Sequence, residues 1–312
     1  MSNSKQENRW AQLGFRLVVN AAAHPIEYAK ILIQIGHEPI PPYHTKTLFG
    51  KPALALPNVF QYISYIRSVD GFVGCYRGLG PKLCANAVSA IVFAEVTDSL
   101  RPEGESDDET KDEEELPMED RRWNCINSVI REGTARTAAF IVSQPFNVIA
   151  VRMMAQFIGG EEKYSSLSSS VVAIYKENGI TGFFSGLIPR ILGELSALAI
   201  AATLSFVVNN YVVEDREIKK YVAASMGFVA ATIMYPFQAV STCMAVTNSG
   251  IVAGRPPHML VYTSWIDCWS HLQRTNQLKR GSSLIWRYYA GPQNTINGHM
   301  VGINKNFIAG AL

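Results

Sequence analysis

Tyr76-Arg77-Gly78-Leu79-Gly80-Pro81-Lys82-Leu83 and Phe184-Ser185-Gly186-Leu187-Ile188-Pro189-Arg190-Ile191 carry one pattern twice: an aromatic residue, a glycine, a proline, then a base and an aliphatic residue. Each is preceded by an earlier glycine at the same distance, Gly71 before Gly78 and Gly179 before Gly186, in the pairs Asp70-Gly71 and Asn178-Gly179. Further upstream stand Pro25-Ile26-Glu27-Tyr28-Ala29-Lys30 and Pro145-Phe146-Asn147-Val148-Ile149-Ala150-Val151-Arg152. A third, weaker copy begins at Pro236-Phe237-Gln238-Ala239-Val240-Ser241, passes through a tryptophan-bearing segment at 265–273 and reaches Arg280-Gly281 and Ala290-Gly291. A fixed period of this kind marks a repeat architecture. Proline inside a long helix bends it, and the glycines let a surface helix turn back towards the next long one. Each repeat therefore reads as helix, surface helix, helix.

Composition places these helices in a membrane. The chain has 48% apolar and only 17% charged residues. No charged residue occurs in 195–213 or 221–246, and each can cross a hydrocarbon core that needs about 20 helical residues. Segments 10–35, 83–100 and 126–156 are helical in pattern but carry polar groups at membrane depth, so they must face one another rather than lipid. The expected fold is an all-α membrane protein, one three-fold-repeat domain over 1–312. Its parts are repeat 1 (about 10–100), a linker (101–120), repeat 2 (about 121–213), a truncated repeat 3 (about 217–291) and a polar tail (292–312).

The net charge of +2 hides a division, because residues 103–120 hold eleven acids and one base. The rest has 27 bases and 15 acids, a body of +12 suited to anionic headgroups, and the acidic run reads as a solvated, disordered linker. Five cysteines without Cys-x-x-Cys or histidines at ligand spacing predict neither a metal site nor a disulfide framework. Residues 1–9 contain Glu7 and no long apolar run, which predicts internal targeting. No phosphate loop, His-x-x-x-His pair or Gly-x-Ser-x-Gly elbow occurs, so neither an enzyme nor a cofactor is expected. Bases are not interleaved with aromatics, which argues against nucleic-acid binding.

The pattern Pro-x-acid-x-x-base, followed by acid-Gly and aromatic-base-Gly, resembles the signature of the mitochondrial carrier (solute carrier 25) superfamily. The stretches Pro25 to Gln34, Gly36-His37-Glu38-Pro39-Ile40-Pro41-Pro42, Gly186 to Glu194, and Tyr235-Pro236-Phe237 through Met244-Ala245-Val246 are similar to its divergent mitochondrial carrier homologue branch. The resemblance implies Pro-bearing odd helices, surface helices and six spans. It also implies an outer-membrane protein that inserts α-helical proteins, binds the pro-apoptotic protein Bid and scrambles lipids.

Two departures from the carrier pattern shape the expectation. In a transporting carrier the acid of one Pro motif pairs with the base of the next, closing one end of a central cavity. Here Glu27 and Lys30 remain, while Asn147 and Ala150, then Gln238 and Ser241, replace the other pairs, so no symmetric charge ring forms and alternating access is not expected. Residues 292–312 carry Gln293, Asn294, Asn297, His299, Asn304, Lys305 and Asn306 and do not read as a lipid-facing sixth span. A bundle without that wall opens sideways, unless the apolar end 307–312 plugs it. Lys30, Gln34, Asn86, Arg152, Arg190, Glu194 and Gln238 are then the candidates for a wet groove, with Glu194 expected at the head of the most apolar span. The alternative for each is a structural pair or helix cap, such as Glu27 with Lys30.

A groove of this kind lowers the cost of moving a polar segment through a bilayer, about 2.5–3.5 kcal/mol per charge at the centre on insertion scales. The expected function is an insertase for tail-anchored and other helical proteins in the outer mitochondrial membrane, with lipids and a Bid-like protein as further partners. The alternatives are a degenerate inner-membrane solute carrier, or a receptor or scaffold acting through exposed loops such as 39–57 or the acidic run.

Overall fold

The computed structural model describes residues 2–46, 50–101, 117–213, 216–289, 293–296 and 299–302. Three long helices run through the motif prolines: α1 (Ser2–Ile35) through Pro25, α4 (Met118–Ala155) through Pro145 and α7 (Arg216–Val246) through Pro236. Each is followed by a short helix: α2 (Val59–Gly74), α5 (Leu167–Asn178) and α8 (Trp265–Arg274). In the first two repeats a further long helix returns, α3 (Leu79–Ser99) and α6 (Leu187–Tyr211).

The short helices start alike because each has a polar N-cap. The side chains of Asn58, Ser166 and Ser264 accept from the backbone N–H three residues on, satisfying a donor that the helix cannot. The repeated glycines also share a backbone. Gly71, Gly179 and Gly281 have φ of 75°, 62° and 78°, and Gly78 and Gly186 cap α3 and α6 in the left-handed region at 79° and 76°. Side chains avoid these conformations, which is why glycine recurs.

Among the described residues four segments are long and apolar enough to cross a membrane: Leu79–Ser99, Met118–Gly159, Ile180–Tyr211 and Tyr221–Val246. Around the bundle α1 packs on α3, α3 on α4, α4 on α6, α6 on α7 and α7 on α1, with the α3–α4 and α6–α7 contacts by far the most extensive. The core lies at the proline end, where Tyr28, Leu32, Ile149, Met154, Val240 and Val246 meet the surface helices through Tyr62, Ile174 and Leu272. Away from it α1 exposes Trp10, Phe15 and Val18, and α7 exposes Tyr221, Phe228 and Ile233, an apolar coat that lipid covers.

Several sequence expectations are moved by the structure. The helix α6 begins at Leu187, so Glu194 stands inside it and not at its head. Residues 118–120 form the first turn of α4, with Glu119 and Asp120 near its positive end, rather than belonging to the linker. The remainder of the acidic run falls at 102–116, outside the described residues. Strands were not anticipated, yet β1 (Tyr43–Lys46), β2 (Pro52–Leu56) and β3 (Arg287–Tyr288) form an antiparallel sheet in that order, with Ala55 opposite Tyr288. In the tail β4 (Gln293–Ile296) pairs with β5 (His299–Gly302), and β5 lies against β2. Residues 307–312, considered as a plug, lie outside the described residues. Among the described residues no membrane-length helix follows α7.

Candidate functional site

A cavity of about 530 Å³ opens between α1, α4, α6 and α7 just above the proline level. Glu27, Lys30 and Gln34 reach it from α1, Asn147 from α4, Arg190 and Glu194 from α6, and Gln238 from α7. On α1 the spacing of three and four residues places Glu27, Lys30 and Gln34 on one helix face. Five of the seven groove candidates therefore share one space. Asn86 lines a second cavity of about 400 Å³ with Arg16, Asn20 and Ser89, towards the other end of the bundle. Arg152 lines neither: it is 0% exposed and donates to the Ala245 carbonyl at 2.9 Å and to Asn178 Oδ1 at 3.1 Å, tying α4 to the end of α7 and to α5.

The degenerate gate pairs in its own way. Lys30 Nζ reaches Gln238 Oε1 at 3.4 Å and sits over the Tyr235 ring, 5.4 Å from its centroid. An acid at position 238 would complete a gate pair there, but an amide stands in its place. Glu27 Oε1 meets Lys82 Nζ of α3 at 2.5 Å, and Lys82 also donates to Asn147 Oδ1 at 3.4 Å. One lysine so takes up the acid of the first motif and the amide of the second. Arg190 donates to Gln144 Oε1 at 2.7 Å and lies 4.4 Å from the Phe140 ring centroid. Glu194, its side chain 47% exposed, has Arg136 of α4 at 3.5 Å, and Arg136 is shared with Glu132 at 2.6 Å.

The sequence reading missed Lys82, Arg136, Gln144 and Tyr235. Repeat symmetry holds the signal for Lys82, which stands after Pro81 as Arg190 stands after Pro189; both bases line the same cavity. Symmetry also explains the residues before the motif prolines. His24 Nε2 lies 3.0 Å from the Arg77 carbonyl oxygen and Gln144 Nε2 donates to that of Ser185 at 2.9 Å, stitching the Pro-bearing helices α1 and α4 to the residues before the glycine caps of α3 and α6. In the third repeat Tyr235 donates instead to the Arg280 carbonyl at 3.0 Å.

Outside the spans, burial and the nearby His258 push the His37 imidazole down to about 4. Burial raises Glu38 above the usual carboxylate range, opposed by its partner Arg287.

Pro-bearing long helices, capped surface helices and glycine turns in three-fold series define a membrane protein of the mitochondrial carrier type. A sequence profile described as Mitochondrial carrier protein matches residues 123–216. Mitochondrial carrier homolog 2 of Mus musculus is 42% identical over 274 residues, covering 85% of this chain and 89% of its own length. The Homo sapiens protein of that name is 39% identical over 270 residues, with 85% and 89% covered. Mitochondrial carrier homolog 1 of Mus musculus is 36% identical over 295 residues, with 86% and 74% covered. The chain belongs to the mitochondrial carrier homolog family, and is a multi-pass mitochondrial membrane protein.

Proposed function

We propose that the protein is an outer-membrane insertase that lowers the barrier for the polar end of a tail-anchored or other helical client. The observation that carries this reading is a cavity between the long helices in which Lys30 and Arg190 are held by amides and aromatic rings, while Glu194, its side chain 47% exposed, has an Arg136 that it shares with Glu132. Groups held in this way can exchange an amide for a passing polar segment. Two charges locked to each other would have to be separated first. Lateral entry of the client from the lipid into this cavity belongs to the same proposal. The same path offers lipid headgroups a polar route between leaflets, so scrambling belongs to the proposal, as does docking of a Bid-like protein at the exposed surface.

Purified protein in proteoliposomes tests it, with a tail-anchored substrate and a fluorescent-lipid flip assay on the same vesicles. Insertion above that of empty vesicles, changed in Glu194→Leu and Lys30→Leu variants of normal stability, is the expected result. Equal insertion by empty and protein-bearing vesicles would leave a receptor or scaffold.

A further inference from the structure

We infer that the proline end of the cavity is a permanent floor rather than a gate, so that the cavity is a vestibule open to one face of the membrane but never to the other. The inference deepens the proposed function and rests on it only in assigning the vestibule to clients. Its physical basis lies in residues outside the degenerate charge ring.

The floor is built on Gln34, which is 1% exposed. Its amide donates to the Tyr235 hydroxyl at 2.8 Å and accepts from Thr242 Oγ1 at 2.9 Å, so one α1 side chain is held twice by α7. The Tyr235 hydroxyl in turn donates to the Arg280 carbonyl at 3.0 Å. The Arg280 guanidinium donates to the Gln34 carbonyl and to Cys243 Sγ, the latter at 3.0 Å, closing a loop between the ends of α1 and α7. Close approach is built in as well. A Cβ on Gly281 would meet the Tyr235 hydroxyl at 2.9 Å, and one on Gly36 would meet Arg280 Nη1 at 2.7 Å.

From Arg280 the chain crosses beneath the bundle as a strap. Leu284 lines the cavity, and its carbonyl accepts from the Val59 N–H at the start of α2 at 2.8 Å. At the far end Arg287 is 7% exposed, forms an ion pair with Glu38 and donates to the Pro57 carbonyl at 2.7 Å, while β3 pairs with β2. Opening this end would expose or orphan several buried polar groups at once and unzip a strand pair. A ring of ion pairs, by contrast, can exchange its partners for water. Where a sixth helix would begin its return through the membrane, this chain runs into strand β3 and fastens the bottom of the bundle instead.

Thiol accessibility of the full chain in sealed vesicles of known orientation tests the floor without any client. In a background with Cys84→Ser and Cys125→Ser, cavity positions Ala197→Cys and Ala231→Cys are challenged with a charged, membrane-impermeant maleimide from either face. Labelling from one face only is expected, with at least a tenfold difference in rate between faces. Arg287→Ala, which unfastens the strap and leaves the cavity walls intact, is expected to cut that difference to less than threefold. Comparable labelling from both faces in the parent protein would overturn the inference, as would an unchanged one-sided pattern in a folded Arg287→Ala, Tyr235→Phe protein. Loss of insertion alone leaves these rates untouched, so a failure of the insertase reading would be seen separately.

Discussion

Glu27 of α1 and Lys82 of α3 stand 2.5 Å apart, with side chains 34% and 16% exposed, and this pair replaces the inter-repeat ion pair that Ala150 can no longer make. Breaking a half-buried pair leaves one charge desolvated without compensation, whereas removing both leaves little to compensate. Lys82→Met is expected to destabilise by about 1–3 kcal/mol, and the double variant with Glu27→Gln to recover at least half of that. Thermal unfolding of the four proteins of the cycle in one detergent measures it.

Lys30 has an amide where a carboxylate would complete the gate, Gln238 Oε1 at 3.4 Å. Gln238→Glu keeps the shape and supplies the charge. It is expected to raise the unfolding temperature by a few degrees, on the order of 1 kcal/mol, and to slow client insertion by tightening the α1–α7 junction. A faster or unchanged insertion rate in a stabilised variant would show that Lys30 does not need to be free.

The motif reading reached far into this fold because it rested on backbone demands. Gly71, Gly179 and Gly281 have positive φ for the reason that made them recur, and the short helices begin at polar caps visible in the chain. Side-chain partners were legible only where symmetry was pursued to the end: Lys82 is the repeat-mate of Arg190, yet nothing local says it meets Glu27. Arg152 looked like a cavity residue because its helix does line the cavity, but its position turns it into the contact of α4 with α5 and α7. The strand pair β2–β3 joins residues far apart in sequence and carries no periodic signal, so the strap could not be read from the chain.

Arg152 separates structural from functional roles. It is 0% exposed and holds the Ala245 carbonyl, Asn178 and Tyr164. Arg152→Met leaves these acceptors buried without a donor, an expected loss of about 2–4 kcal/mol. Activity per folded molecule should remain unchanged. A folded variant with lost insertion would place Arg152 on the client path after all.

His37 provides a pH dependence of definite sign. Its ring faces His258, with centroids 6.4 Å apart, and Phe157 at 6.2 Å; its carbonyl accepts from the Tyr62 hydroxyl, and Glu38 follows it in the chain. Its pKa of about 4 lies below the ordinary 6.5, so between these values the unfolded chain binds a proton that the native state refuses. Stability therefore falls as pH drops from 6.5 towards 4, with a slope from this group of about 1.4 kcal/mol per pH unit at most. In His37→Gln that part of the dependence should vanish, which unfolding at pH 7, 6 and 5 can resolve.

The glycine caps of α3 and α6 dock each repeat onto the next, and their two sites differ in tightness. Both are left-handed, so alanine incurs a conformational cost of about 1–2 kcal/mol at either. A Cβ at Gly78 would meet the Ala150 carbonyl oxygen at 2.9 Å, and one at Gly186 would meet that of Ser241 at 2.4 Å. The obstacle is backbone in both cases, so no smaller side chain at 150 or 241 can relieve it, and α6 would have to move away from α7. Ser241 Oγ donates to the Gly186 carbonyl at 2.8 Å, and that bond would be strained by the same movement. Gly186→Ala is thus expected to cost about 3 kcal/mol or more and Gly78→Ala about 2 kcal/mol. Equal unfolding temperatures for the two variants would mean that the α6–α7 contact yields more readily than its close packing implies.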